Sequence, residues 1–272
     1  MADFDTLASS VQDSRPIELY EFLIGSDAYR YTSAEDDLTV GGIVYTAVPI
    51  ARNKIEQGSD QANRNMTVTM PALLSLPQLY ITVPPGQKCS VNVFRYERDE
   101  SPSFTTQVLL FKGNVQSCRF PNDGHSAEFA IRSIETALNR NVPRFNFGSM
   151  CQHVLYDDSC GVTATDFDLI GAVSSISGST ITLAGASASG IDFVGGYVTP
   201  TGADDFRMII AQSGDVLTLL LPFANDPTGT NVQAFAGCDH LIEGDCALVF
   251  DNVAAFGGFP FVPNKDIFAN GV

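Results

Sequence analysis

Four of the six cysteines stand in two local clips. Cys151 and Cys160 bracket eight residues, Cys238 and Cys246 bracket seven, and 77 residues separate the pairs. Thiolates are soft ligands, and four of them in two clips suit one shared metal centre. Structural zinc normally uses clips of about two to four residues, because its tetrahedron is small. Clips of seven and eight fit a bulkier centre more naturally, and a four-cysteine iron–sulfur cluster is the common bulky thiolate cofactor. Spacing alone leaves the cluster, a structural zinc and a metal-free arrangement all open. His153 and His240 each follow the first cysteine of a clip by two residues, so a Cys2His2 zinc site is conceivable. Alternation along the chain predicts instead that both are loop histidines turned away from the sulfurs. Cys89 and Cys118 lie in the apolar stretches KCSVNVF and NVQSCRF and read as small buried hydrophobes. His125, in PNDGHSAE, reads as a turn residue.

The chain offers no catalytic constellation. It contains no G-x-S-x-G elbow, no H-E-x-x-H and no P-loop, and its Gly pairs lack the strand-to-helix setting that a phosphate cradle needs. Asp157-Asp158 and Asp204-Asp205 read as solvated turn residues rather than acid pairs. A non-enzymatic protein is expected. Nucleic-acid binding is also disfavoured. The net charge is −16, with 13 Lys/Arg against 17 Asp/Glu up to Arg144, and only Arg207 and Lys265 against 14 acids beyond it. Such a balance cannot neutralise phosphates. The residues after Met1 lack the basic and apolar regions of a secretory leader, and the longest apolar run, VLTLLLPF at 216–223, is too short to span a bilayer. A protein made in a reducing compartment without membrane insertion is expected, where clustered cysteines are more often metal ligands than disulfides.

The elements that must position the clips are strands. Period-2 or β-branched runs are predicted over Ile17–Ile24, Ala28–Thr32, Leu38–Val40, Ile43–Ala47, Met66–Met70, Leu79–Val83, Ser90–Glu97, Gln107–Gln116 and Ala127–Ile134. Gly-containing turns join the first four into two hairpins, Gly41-Gly42 closing the second. Arg52–Asn65 reads as a strand end followed by a polar excursion, and Pro71–Pro77 as one helical turn. These spacings predict an N-terminal β-barrel or sandwich over 1–140. A C-terminal cysteine-ligated domain over 141–272 follows, with a small β module, a meander of five strands, inserted at about 163–230. Its strands are expected at Ala172–Ile176, Thr180–Leu183, Gly196–Thr199, Phe206–Gln212 and Val216–Leu221. The module leaves after Cys160 and returns before Cys238, so its closed ends must bring the clips together at little entropic cost.

The run ETALNRNVPRF, then C-x8-C-G-V, then GCDH-x5-C, then the closing FGGFPFVP resembles the baseplate hub, or tail-tip, proteins of long-tailed phages and gene transfer agents, of the DUF2163 and phage BR0599 type. The cysteine layout is also similar to that of the tail-tip L protein of lambda-like phages. The specific motifs lie between Ala137 and Pro263, and the N-terminal half matches by order and composition only.

The resemblance implies a structural virion protein at the tail tip, assembled in the host cytoplasm. It would join the distal tail protein to the central fibre or spike protein as a homotrimer ring, with DNA passing through the lumen without specific binding. It also implies a [4Fe–4S] cluster on Cys151, Cys160, Cys238 and Cys246, with Phe250, Asn252, Phe256, Gly258, Phe259 and Pro260 packing around it. The acidic composition agrees with a DNA-conducting wall, because attraction to phosphate would slow ejection. Neither 146–170 nor 231–264 contains a Lys or Arg, which predicts a low-potential cluster with no electron-transfer role. The rival reading from another class is a stand-alone metal redox or sensor protein using the same thiols. A carbohydrate-binding module is weaker still, since the chain has no Trp.

Overall fold

A computed structural model describes residues 16–55, 65–97, 107–121, 124–139 and 146–262. The chain divides into two compact units, Met1–Arg140 and Asn141–Val272. The expected polar excursion falls largely on 56–64, and the whole NVPRF run on 141–145; both stretches lie outside the described residues.

Among the described residues, the first unit forms one nine-stranded sheet. Its strands are β1 (Pro16–Ile24), β2 (Asp27–Thr32), β3 (Leu38–Val40), β4 (Ile43–Ala47), β5 (Ala51–Arg52), β6 (Asn65–Pro71), β7 (Cys89–Glu97), β8 (Gln107–Arg119) and β9 (Ser126–Ser133). Their spatial order is β3-β4-β2-β1-β7-β8-β9-β6-β5, which leaves β3 and β5 at the edges. The described ladder is therefore a sheet with two edges rather than a closed barrel. The hairpin turns form as their glycines require: Gly25, Gly41 and Gly42 all take positive φ, which costs a residue without Cβ little.

Alternation sorts the side chains. Tyr20 and Phe22 on β1, Val91 and Val93 on β7, Phe129 and Ile131 on β9, and Met66, Val68 and Met70 on β6 meet in one buried cluster. Leu19, Val40, Tyr45 and Tyr96 form a smaller one. Cys89 is buried in the main cluster and Cys118 packs against it.

One expected strand is absent. Leu79–Val83 follows the four-residue helix Ser75–Gln78, and its first residues continue that turn, with Tyr80 N–H donating to Pro77 O at 2.9 Å. The β-branched run ends at Pro84-Pro85, which cannot donate to a ladder. Tyr80 instead packs edge-on against Phe129 at 5.4 Å. Tertiary packing overrides the strand propensity here.

The second unit contains a closed barrel of β10 (Asp168–Ser177), β11 (Thr180–Leu183), β12 (Tyr197–Pro200), β13 (Arg207–Ser213), β14 (Val216–Leu219) and β15 (Asn231–Phe235), in the order β10-β11-β14-β13-β12-β15. Val173, Ile181, Leu183, Phe193, Val198, Ile209, Leu217 and Val232 fill it. The expected meander is thus a barrel. The difference is β15, whose five residues NVQAF lie past the predicted end of the module and pair with both β10 and β12. Closure removes the edges that an open meander would expose.

Candidate metal centre

Barrel closure sets the origin of both clips. Asp168, the first residue of β10, sits opposite Phe235, the last of β15, and Ala236 N–H extends that ladder to Phe167 O at 3.0 Å. The segment carrying Cys151 and Cys160 therefore enters the barrel beside the point where the segment carrying Cys238 and Cys246 leaves it. Gly237 makes the departure possible, because a Cβ there would collide with the Val194 carbonyl. Tyr156 braces the junction by donating its hydroxyl to Ala236 O at 3.0 Å.

Each clip is a set of polar turns. In the first, Asp157 Oδ1 accepts the backbone N–H groups of Ser159 at 3.0 Å and Cys160 at 2.7 Å. These bonds hold the Asp157 carboxyl below its ordinary range, the Cys160 N–H being the largest cause. In the second, two carboxylates and two amides are exchanged: Asp239 N–H donates to Asp245 Oδ2 at 2.7 Å, and Asp245 N–H to Asp239 Oδ1 at 3.2 Å. Leu241 N–H adds a third bond to Asp239 Oδ1 at 2.9 Å. Gly244 leaves room for this carboxylate, which a Cβ would strike.

The clips are tied to each other through backbone. Cys151 N–H donates to His240 O at 2.9 Å. Asn252 spans both: its side-chain amide donates to Cys160 O at 2.6 Å, and its own N–H donates to Cys246 O at 2.8 Å. The closing FGGF segment lies along the first clip, with Phe259 N–H on Gly148 O at 2.8 Å. Gly258 permits that approach, since a Cβ there would meet the Met150 carbonyl. Phe147 and Phe259 pack at a tilt of 49° with ring centres 4.9 Å apart outside it, and Phe250 packs edge-on against Phe167 at 4.8 Å.

These ties bring Cys151, Cys160, Cys238 and Cys246 to one cavity, walled also by Leu155, Val162, Phe250 and Ala255, with about 340 Å³ of atom-free space partly continuous with solvent. Three of the four sulfurs accept N–H groups: Gly257 on Cys151 at 3.3 Å, His240 on Cys238 at 3.4 Å, and the Asn252 side chain on Cys160 at 3.7 Å. Cys246 instead donates to Asn252 O at 3.3 Å. Burial pushes the Cys238 thiol up, opposed by the His240 N–H, and pushes Cys246 up with help from the Cys151 and Cys160 sulfurs.

Both histidines lie in loops that border this cavity. His240 has φ +60°, a left-handed conformation that lets its N–H reach Cys238 and its carbonyl reach Cys151. His153 Nδ1 lies 3.1 Å from Ala255 O, and its ring fills the space a Cβ on Gly257 would occupy. The contributions of Asn252 and of the Gly257 amide are not read from spacing, although D-x-S-C at 157–160 is the signature of an Asx turn.

A donor set of four thiols, amides directed at sulfur and an apolar wall fits a thiolate-ligated metal centre. Among the described residues, the three ligand atoms that crowd within 4.8 Å of one another belong to Cys238, Asp239 and Asp245, not to three of the four thiols. A tetrahedral zinc with bonds of about 2.3 Å draws its sulfurs to about 3.8 Å apart. The thiol sulfurs therefore stand farther apart than the edge of a zinc tetrahedron.

Residues 23–163 match the family model for the baseplate hub protein, N-terminal attachment domain, which covers more than half of the chain. The chain belongs to the baseplate hub protein family. Residues 192–266 of this hub chain also match the model described as phage conserved hypothetical protein BR0599. A chain from the virion of a native gene transfer agent particle has the same fold, with a TM-score of 0.78 at 18% identity, over 100% of this chain and 96% of that one. No curated protein matches the hub chain.

Proposed function

We propose that this hub chain is a structural subunit of the tail tip, without enzymatic activity, whose second unit is held together by a [4Fe–4S] cluster on Cys151, Cys160, Cys238 and Cys246. Family membership supports the virion role. The observation that carries the cluster is the convergence of four thiols, drawn from segments 77 residues apart, on one apolar-walled cavity with N–H groups directed at three of them.

A bound cluster would supply four strong iron–thiolate bonds and no chemistry on a substrate. The chain's own residues supply the rest. The Asp157 turn and the Asp239–Asp245 exchange fix the two clips, and Asn252 and Cys151 N–H lock one clip to the other. Amides from Gly257 and His240 offset negative charge on Cys151 and Cys238. Lys and Arg are absent from 146–170 and 231–264, so the site is built to hold a centre in one charge state rather than to cycle it.

In the assembled tail, the subunit would join the distal tail protein to the central fibre or spike protein as a trimeric ring lining the DNA channel. The net charge of −16 supports a wall that DNA passes without binding. Iron and acid-labile sulfide analysis of anaerobically purified protein tests the cluster. About four of each per chain are expected, and both are expected to be lost in Cys238→Ser. One equivalent of zinc without iron would overturn the cluster while leaving the virion role intact.

A further inference from the structure

The outer face of the barrel is apolar where a solvated barrel should be polar. Strand β13 reads Arg207-Met208-Ile209-Ile210, with Ile209 fully inside while Met208 and Ile210 are 49% and 47% exposed. A strand with one wet face normally alternates apolar with polar. Alternation puts Ile210 on the outer face with Met208, and the ladder slips between Ile209 and Ala211, so the bulge leaves Ala211 outward as well.

The neighbouring strands continue the patch. Tyr197 of β12 is the register partner of Met208, and Leu220, just past β14, donates its N–H to Met208 O at 2.9 Å and is 58% exposed. Phe206, 47% exposed, packs against Tyr197 at 5.8 Å. Tyr197, Phe206, Met208, Ile210 and Leu220 are thus contiguous across three strands. Tyr197 also borders a groove beside Cys151 and Cys238, but Phe206, Met208, Ile210 and Leu220 line neither that groove nor the thiol cavity. Isolated surface apolar residues are ordinary, but a connected patch of large ones marks an interaction site.

Charge identifies the occupant. Arg207 is the one Lys or Arg among residues 146–262, and it is buried against Asp205 at 2.7 Å. The described surface of this unit therefore presents acids without an exposed cation. The same unit of a second copy would bring the same sign to the rim and be repelled. A surface with an apolar centre and a Lys/Arg border satisfies both features. We propose that the β13 face docks such a surface on a different protein of the particle.

The test replaces Met208 with p-benzoylphenylalanine in the full chain, assembles particles, irradiates them, and maps the cross-linked peptides by mass spectrometry. A cross-link to another particle protein, at an apolar residue bordered by Lys or Arg, is expected. Leu220→Glu and the milder Met208→Thr are expected to lower incorporation into particles at least tenfold, with the unfolding midpoint of the free chain unchanged. Ile170→Glu, exposed on β10, is the control and is expected to assemble normally. Cross-linking between two copies of this chain, cross-linking to an acidic surface, or normal incorporation of both variants would each overturn the proposal. Iron content is not read in this experiment, so it stands or falls apart from the cluster.

Discussion

Asn252 carries more of the thiol site than any other side chain apart from the four cysteines. Its amide bonds to Cys160 O and approaches Cys160 Sγ, while its backbone serves Cys246 in both directions. Asn252→Asp keeps the shape but replaces a donor with a negative acceptor facing a carbonyl and a sulfur. Leaving a half-buried carbonyl unpaired costs about 1–3 kcal/mol, so denaturant unfolding should lose at least that much stability. Asn252→Ala, which adds no charge, should lose less. Equal stability of Asn252→Asp and the parent would show that the clasp contributes nothing.

Asp215 gives a pH-dependent counterpart away from the site. Its carboxylate accepts the Ser187 N–H at 2.7 Å and hydroxyl at 2.8 Å, which holds its pKa below the ordinary 3.8. A depressed carboxylate stabilises the fold above its unfolded pKa and loses that contribution as pH falls through the folded value. The difference in melting temperature between the parent and Asp215→Asn should therefore be full at neutral pH and fade below about pH 3.8. A difference that persists unchanged at pH 2 would contradict the assignment.

At the scale of elements, what the sequence made legible was what depends on local pattern. The hairpins at Gly25 and Gly41-Gly42, and the strands with strict alternation, such as β6 and β9, form where period and turn chemistry place them. Leu79–Val83 was misread because its β-branched run is decided by Pro84-Pro85 and by the fit of Tyr80 to Phe129. β15 was missed because NVQAF is short, and its identity as a strand comes from two partners far away in sequence. The same divide holds at the site. Cysteine spacing pointed to one shared centre, but the supporting amides come from backbone conformations such as that of His240 at φ +60°. The FGGF segment shows why its glycines are needed: Gly258 approaches Met150 O too closely for any side chain. Gly258→Val should therefore lift the closing segment off the first clip and cost about 2–4 kcal/mol, in the range of overpacking and lost hydrogen bonds. Hydrogen exchange should report it as lost protection at Phe259 N–H, with β10–β15 unaffected. Retained protection at Phe259 would refute the packing role.

For the whole molecule, charge is distributed against stability in one unit and not in the other. The first unit interleaves its acids with Arg, as in Arg30–Glu21, Arg52–Glu18 and Arg119–Glu128. In residues 146–262 thirteen acids face one cation, Arg207, already committed to Asp205. Self-repulsion of this kind destabilises a compact unit and is screened over a Debye length of about 10 Å at 0.1 M salt, about 3 Å at 1 M. Each unit has its own buried core, so their unfolding can be followed separately by hydrogen exchange on β9 and on β13. Raising sodium chloride from about 0.05 to about 0.5 M should stabilise the second unit by about 1 kcal/mol or more. The first unit should change little, because screening weakens its attractions and its repulsions together. No stabilisation of the second unit by salt would mean that its acids are too far apart to repel. In that case its acidity would not bear on its fold.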